Sequence, residues 1–284
     1  MRKTKYIIFF LTIIFIFSNT SSVLSYNLKK VEIYEHNSWA VFISLGDTQS
    51  DYNNLRDFKN ILKDNGWLEE NIFTLYQEHA TRDNILSLPQ MLSDEGLKED
   101  DLLLIYFSTH GFGMEDEEPY DEPDGLDEFI ITHIVEGESR NGISDDELSS
   151  SFDNINCDNF ILIFETCNSG GMLDGSSDLK KTGRIILTST DYDETSFGLF
   201  LKQSWLFPFY LIKALSGKGD INDDKYITVE EAFNYAKKRT IIRSFFYGLL
   251  LFVFHRSIFI QHPQIYDAWP SENDNIEDLI LIRL

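Results

Sequence analysis

Two apolar runs of the sequence each end in a residue that could take part in nucleophilic catalysis. The run "LLLIYFS" (102–108) leads to His110, and the run "FILIFE" (160–165) leads to Cys167. A thiolate is a strong nucleophile, and a nearby imidazole lowers the pKa of the thiol and can carry its proton. Either residue alone is more often a packed or hydrogen-bonded side chain. Together, at the ends of two such runs, they favour a cysteine–histidine dyad.

Small residues follow both candidates. Gly111 comes directly after His110, and the segment 168–171 after Cys167 is "NSGG". Glycine lets a substrate backbone approach closely. The backbone N–H groups of Gly111 and Cys167 are therefore candidates for an oxyanion hole, in which one donor is worth about 3–4 kcal/mol.

The dyad requires that the two runs be neighbouring strands, and the alternation of elements along the chain predicts a suitable fold. A buried strand at 39–46 precedes an amphipathic helix, and a strand at 71–77 precedes a helix at 81–96 that Pro89 kinks or breaks. Such alternation indicates a single α/β domain with a mostly parallel sheet and helices on both faces. Ligands bind beyond the carboxyl ends of such strands.

The motifs around both candidates resemble those of the caspase–legumain clan of cysteine peptidases. "ETCNSGG" (165–171) is similar to the Glu-x-Cys-x-Ser-Gly form of legumain, and metacaspases carry a related Asp-x-Cys-x-Ser-Gly. The strand-His-Gly motif lies upstream, in the order and at about the spacing of the clan. The resemblance covers roughly residues 38–240 and implies a caspase-like three-layer fold with about six strands.

The resemblance also implies roles for particular residues. His110 would be the general acid and base, and Cys167 would attack the scissile carbonyl to form a thioester. The amides of Gly111 and Cys167 would form the oxyanion hole. Glu165 matches a position that lines the primary specificity pocket in legumain, although it could instead serve strand packing.

Legumain pairs the pocket acid with an arginine, and Arg56 is not in register with that position. Without the arginine, an acidic pocket would suit Lys or Arg at the cleavage point rather than Asn. Ser204 and Trp205 resemble the segment that lies along the substrate; the alternative is a helix start with a packed tryptophan.

Two acidic segments are candidate calcium sites, although the chemistry of the dyad requires no cofactor. The segment 114–128 carries nine acidic residues, which could form a solvated loop, a steering field for basic substrates or a Ca²⁺ site. The segment 220–231 resembles an EF-hand loop, with Lys225 where glycine is expected, and a capping box from Thr228 to Glu231 is the alternative. Its predicted ligands are Asp220, Asn222, Asp224, the Tyr226 carbonyl, Thr228 and Glu231.

Charge and the N-terminal sequence bear on location and partners. The formal net charge of −23 disfavours binding to nucleic acid. Residues 1–25 have the basic start and short apolar run of a signal peptide, which predicts a secreted or cell-surface domain over 26–284, with an uncleaved membrane anchor as the alternative. Cys157 and Cys167 flank one predicted strand and are too far apart to pair.

The apolar segment 241–260 stands apart from the rest of the composition. Its uninterrupted core is too short to span a bilayer, so it could be a buried helix, or an interfacial helix that contacts a membrane or a partner. In sum, the sequence predicts an exported cysteine endopeptidase that acts on peptides or proteins. A catalytically silent caspase-like scaffold and a transpeptidase remain alternatives.

Overall fold

The computed structural model describes residues 37–117, 120, 122–137, 141–175, 179–255, 259–270 and 278–284. The predicted signal peptide lies outside the described residues, and export and the domain boundary at residue 26 stay predictions. The elements in chain order are β1 (Ser38–Ser44), α1 (Gln49–Asp64), β2 (Ile72–Tyr76), α2 (Arg82–Leu86), α3 (Leu88–Glu95), β3 (Leu102–Ser108), β4 (Gly111–Glu115), β5 (Leu126–Ile131), β6 (Gly142–Ser144), α4 (Asp145–Phe152), β7 (Asn159–Glu165), β8 (Arg184–Thr188), β9 (Gly198–Leu199), β10 (Ser204–Trp205), α5 (Leu206–Lys213), β11 (Tyr226–Thr228), α6 (Val229–His255), β12 (Gln264–Asp267) and β13 (Ile280–Arg283).

A six-stranded sheet organises the fold, in the order β12-β8-β7-β3-β1-β2. Five strands are parallel, and β12 runs antiparallel to β8 at one edge. The prediction of a mostly parallel sheet of about six strands is therefore confirmed.

Helices cover both faces of this sheet, because successive strand residues point to opposite sides. Ala40 and Phe42 of β1 belong to a core with α1, α5 and α6. Val41 and Ile43 belong to a second core with α2, α3 and α4. The three-layer α/β prediction is confirmed.

The helix predicted over 81–96 is two helices. Thr81 caps α2, Ser87 separates it from α3, and Pro89 lies in the first turn of α3, where its missing N–H costs no hydrogen bond. The break expected at Pro89 is thus found two residues earlier, at Ser87.

The two cysteines differ in environment, and both are free. The thiol of Cys157 donates to the Asp101 carbonyl at 3.1 Å, and burial raises its pKa to about 12. A thiol that stays protonated is a poor nucleophile. Cys157 also precedes β7, at the edge of the sheet opposite to the one that carries His110, so it is a packing residue and Cys167 is the candidate for chemistry.

The apolar segment that begins at residue 241 is part of α6, which runs without interruption from Val229 to His255. Five of its large apolar side chains are exposed: Ile242, Phe245, Phe246, Leu249 and Leu250. The interpretation of this segment as a buried helix is therefore wrong for these side chains, because α6 extends past the core that covers its first turns. Among the described residues, the helices are all too short or too polar to cross a bilayer.

Candidate active site

The parallel pairing of β3 with β7 brings the predicted dyad to one edge of the sheet. Ser108 lies opposite Glu165 in the register, and the Thr109 N–H continues the ladder to the Glu165 carbonyl at 3.3 Å. His110 and Cys167 follow at equal distances along the two chains. Both residues therefore leave the same edge, on adjacent strands.

A close approach at Gly111 confirms that the two chain ends touch. A Cβ atom at this position would lie 2.2 Å from the Cys167 carbonyl oxygen and 2.8 Å from Thr166 Oγ1. Side chains cannot be accommodated at such distances, so glycine is required here for steric reasons. The contact brings Gly111 and Cys167, whose amides are proposed for the oxyanion hole, next to each other in space.

His110 has a partner that the sequence analysis missed. Its Nε2 atom lies 3.1 Å from Asp47 Oδ2, and the imidazole is 62% exposed. Asp47 belongs to the loop between β1 and α1, at the same edge of the sheet. A carboxylate in this position fixes the orientation of the ring and its tautomer, as a third group does in other nucleophile–base pairs.

Cys167 is half-buried, and its thiol is not activated in this conformation. Burial raises the thiol pKa, the Ser196 backbone partly offsets this, and the negative charge of Glu165 raises it further. The sequence predicted that the imidazole of His110 lowers the pKa of the Cys167 thiol. That expectation is not met here, because desolvation dominates and the His110 Nε2 atom is directed at Asp47.

The turn after Cys167 is fastened by the loop 191–197. The Asn168 N–H donates to the Glu194 carbonyl at 2.8 Å, and the Asn168 side chain donates to the Tyr192 carbonyl at 2.7 Å. Glu194 is in turn hydrogen-bonded to His262, through both the backbone N–H and the imidazole. The loop thus links the nucleophile turn to a segment that follows α6.

Glu165, two residues before Cys167, and Asp51 are buried carboxyl groups close enough to interact, and we call this pair the acidic pocket. Glu165 is only 2% exposed; its Oε1 accepts from the Ser196 hydroxyl, and its Oε2 accepts no hydrogen bond from the described part of the chain. Burial, the main cause, and the charge of Asp51 raise the Glu165 pKa to about 8. A carboxyl group in this state is prepared to pair with an incoming cation.

Asp51 was not singled out from the sequence, although three elements converge on it. Its Oδ1 accepts from Ser108 Oγ at 2.9 Å and from Trp205 Nε1 at 2.7 Å, and its Oδ2 forms the capping box of α1 with Thr48. Asn54 of α1 donates to Ser204 Oγ and accepts from the Trp205 N–H, both at 2.7 Å. The predicted substrate residues Ser204 and Trp205 are therefore fastened beside the acidic pocket.

A groove runs along this side of the molecule, past the loop that carries Asp47. One part has a volume of about 520 Å³ and the adjoining part about 370 Å³, and both are lined by Thr48 and Gln49. Arg56 does not contribute to the pocket: it forms an ion pair with Asp57 at 2.7 Å on the exposed face of α1. Arg56 is therefore not the arginine that asparagine specificity would require beside Glu165.

The acidic segment 114–128 contributes to a second, buried cluster. Carboxylate oxygens of Glu122, Glu128 and Asp174 lie within 4.8 Å of one another, as do those of Glu122, Asp127 and Asp145. Four of these five residues are buried, so the interpretation of this part of the segment as a solvated loop is wrong. The burial arises because the segment folds back as β5 against β4 and the turn after Cys167.

Steric and hydrogen-bonding details make this cluster a candidate cation site. Asp127 Oδ1 and Asp174 Oδ1 are buried atoms that accept no hydrogen bond within the described ranges, and burial is the main cause that raises the pKa of both carboxyls. A Cβ on Gly171 would lie 2.1 Å from the Glu128 carboxyl carbon, so glycine leaves the room this carboxylate occupies. Carboxylate oxygens are hard donors of the kind that Ca²⁺ prefers.

The EF-hand-like loop is built differently. Asp220 accepts from the backbone N–H groups of Asp224 and Lys225, and the Lys225 ammonium group pairs with Asp223. Thr228 and Glu231 form the alternative capping box of α6, with hydrogen bonds of 3.1 and 3.3 Å. Of the residues that the structure describes, only the cluster near Gly171 brings three or more carboxylates within reach of one ion. Calcium binding by Asp220, Asn222, Asp224, Tyr226, Thr228 and Glu231 stays a prediction.

Comparison with known proteins agrees with this architecture. A family model described as "Metacaspase, peptidase C14 domain" matches residues 34–176. The crystal structure of protein GSU0716 from Geobacter sulfurreducens superposes with a TM-score of 0.56 at 14% identity, covering 86% of this chain and 99% of that chain. At this identity the likeness shows the fold alone. No curated protein sequence matches the chain.

The segment matched by the family model is half of the chain and contains His110, Cys167, Glu165 and Asp51. The predicted substrate residues Ser204 and Trp205 lie outside it. It begins before β1 and ends after the turn that follows Cys167. From the fold, the placement of His110 and Cys167 and this match, the chain belongs to the metacaspase family, a caspase-like family of cysteine peptidases.

Proposed function

We propose that this chain is a cysteine endopeptidase that cleaves peptide bonds after lysine or arginine, using His110 and Cys167 as its dyad. The observation that carries the proposal is the placement of both residues at one strand edge, directly beside a buried acidic pocket. An arginine or lysine side chain in that pocket would pair with Glu165, next to Asp51. Because Cys167 follows Glu165 by two residues, this ion pair would place the scissile carbonyl of the substrate beside Cys167.

The reaction proceeds by acyl transfer. Cys167 Sγ gives its proton to His110 and attacks the scissile carbonyl carbon, and the carbonyl oxygen becomes an oxyanion facing the Gly111 and Cys167 amides. The tetrahedral intermediate collapses to a thioester as His110 returns the proton to the leaving amine. Water then attacks the thioester, with His110 as base, and releases the acid and the thiol.

Because burial raises the pKa of the Cys167 thiol, proton transfer to His110 accompanies attack in this mechanism rather than preceding it. Asp47 accepts a hydrogen bond from Nε2–H of His110, which leaves Nδ1 as the basic nitrogen. Asp47 is therefore a positioning residue.

The first test is labelling with an acyloxymethyl ketone probe that carries arginine at the cleavage position. We expect the wild-type protein to be labelled and Cys167→Ala to be unlabelled, with Cys157→Ala labelled as the wild type. Peptide libraries should show cleavage after Arg and Lys in preference to Asn. Absence of labelling under reducing conditions, with and without Ca²⁺, would favour the silent scaffold. Ligated products in mass spectra would indicate the transpeptidase.

The pH dependence tests the role of Glu165. Its carboxyl has a raised pKa of about 8, so in the free enzyme it is neutral below that pH and anionic above it. A cationic side chain binds the anionic form better, so the ratio of kcat/KM for arginine and citrulline substrates should rise as the pH passes from about 6 to about 9. The ratio cancels the titration of the dyad. In Glu165→Gln it should be low and flat; a flat ratio in the wild type would remove Glu165 from the pocket.

Substitution of Asp47 tests the positioning role. Asp47→Ala leaves the His110 ring without its acceptor, and we expect kcat to fall by about 100-fold with little change in KM. Asp47→Asn keeps an acceptor oxygen and should recover most of the rate. Asp57→Ala, at an exposed residue paired with Arg56, is the matched control. Full activity of Asp47→Ala would contradict the assignment.

We also propose that Ca²⁺ binds the cluster formed by the carboxylates of Glu122, Asp127, Glu128, Asp145 and Asp174, of which all but Asp174 are buried. The ion would supply positive charge that offsets their mutual repulsion. Glu128 contacts the position of Gly171, four residues after Cys167, so the cluster supports the nucleophile turn from behind. Its role is structural, and the chemistry remains that of the dyad.

Calcium should raise the melting temperature, with a linkage free energy of about 2.7 kcal/mol at a hundredfold excess over Kd. Asp127→Asn and Asp174→Asn should reduce this calcium-dependent shift, and Asp224→Asn, in the EF-hand-like loop, should not. The shift should weaken as pH falls, because protons compete at carboxyls whose pKa is raised. If only Asp224→Asn reduced the calcium-dependent shift in melting temperature, the Ca²⁺ site would lie in the EF-hand-like loop instead.

A further inference from the structure

The distribution of acidic residues is uneven along this chain. Acidic residues number 47 of 284, yet none occurs in the sequence between Glu231 and Asp267. The same span contains five cationic residues: Lys237, Lys238, Arg239, Arg243 and Arg256. Helix α6 fills most of this span, so α6 beyond its first turn is basic in a protein whose net charge is strongly negative.

The two halves of α6 have different surroundings. Ala232, Phe233 and Ala236 in its first half are buried in the core shared with α1 and α5. Further along, Thr240 and Ser244 remain buried, one helical turn apart, and form the row that faces the protein. Within the described part of the chain, the opposite side of the helix is exposed over residues 242–250.

The uncovered side is strongly apolar. Ile242, Phe245, Phe246, Leu249 and Leu250 are spaced at i, i+3, i+4, i+7 and i+8, which places them on one face. Their side chains are between 39% and 68% exposed. Exposed Lys238 and Arg243 border this row, and Arg243 lies over the Tyr247 ring at 4.8 Å. We call these seven residues the docking face.

We propose that the docking face binds the surface of an anionic phospholipid bilayer. Helices that lie in the membrane interface combine aromatic and aliphatic side chains on one face with lysine and arginine beside them. The cations match the negative lipid headgroups, whereas the acidic remainder of the protein is repelled from them. The charge distribution therefore determines which side of the protein meets the lipid.

A second copy of the chain fits the docking face less well. A twofold dimer places the same patch against itself, so Lys238 and Arg243 of both copies would share one interface. Like charges at such an interface oppose association. An anionic bilayer satisfies the apolar row and the cations together.

Vesicle sedimentation with the full chain tests the proposal. We expect binding to phosphatidylcholine vesicles that contain about 30% phosphatidylserine to be at least about tenfold stronger than to phosphatidylcholine alone, and to weaken with salt. Lys238→Glu/Arg243→Glu should abolish the preference for anionic vesicles, and Phe246→Glu/Leu250→Glu should weaken binding. Leu201→Glu, at a residue 91% exposed outside α6, is the matched control.

A second measurement locates the contact and separates it from binding through residues 1–25. Tryptophan introduced as Phe246→Trp should be quenched by brominated phospholipid, and tryptophan introduced as Leu201→Trp should not. Unchanged melting temperatures would show that the variants fold. Bound protein with an unquenched Phe246→Trp would overturn the proposal, as would light scattering that shows a dimer dissociated by Phe246→Glu/Leu250→Glu without vesicle binding.

Discussion

The parallel register of β3 with β7 is the constraint on which the candidate active site depends. It places Ser108 opposite Glu165, and so delivers His110 and Cys167 to the same point of the sheet edge. Core packing fixes this register: the rings of Phe107 and Phe164 stack at 4.9 Å, and both belong to the core on one face. A slip by one residue would turn these rings to the opposite side of the sheet. The apolar interior thus determines the position of polar groups that it does not itself contact.

Buried carboxylates are the other feature that unites the site. Glu165 and the cluster around Glu128 are held out of water in a protein that is already strongly acidic. Such burial is unfavourable for the free energy of folding unless a cation or a proton compensates it. The two proposed ligands, a basic substrate side chain at Glu165 and a metal ion at the cluster, would supply this compensation. Both adjoin the nucleophile turn, Glu165 before Cys167 and Glu128 at Gly171.

The sequence predicted the sheet and the dyad because both depend on local patterns: apolar runs, their termini and the short motif around Cys167. The roles of Asp47 and Asp51 could not be predicted, because no periodicity marks these residues. Their partners, His110, Ser108 and Trp205, lie far away in the chain. The burial of Asp127 and Glu128 was missed since acidic segments are usually solvated. The sequence left open whether the segment 241–260 is buried or interfacial for a related reason: in a run that is apolar on all sides, no periodicity shows which side is buried.

The loop 191–197 reaches in two directions. On one side it carries the Ser196 hydroxyl bound to Glu165 and the carbonyl groups bound to Asn168. On the other, Glu194 and Phe197 hold His262 and Gln261, which follow α6 after a short stretch of chain. A displacement of the distal end of α6 would therefore be transmitted to Cys167 through this one loop, because the loop is hydrogen-bonded both to the turn after Cys167 and to the segment after α6. The proposed proteolysis would in this way depend on what the distal end of α6 contacts.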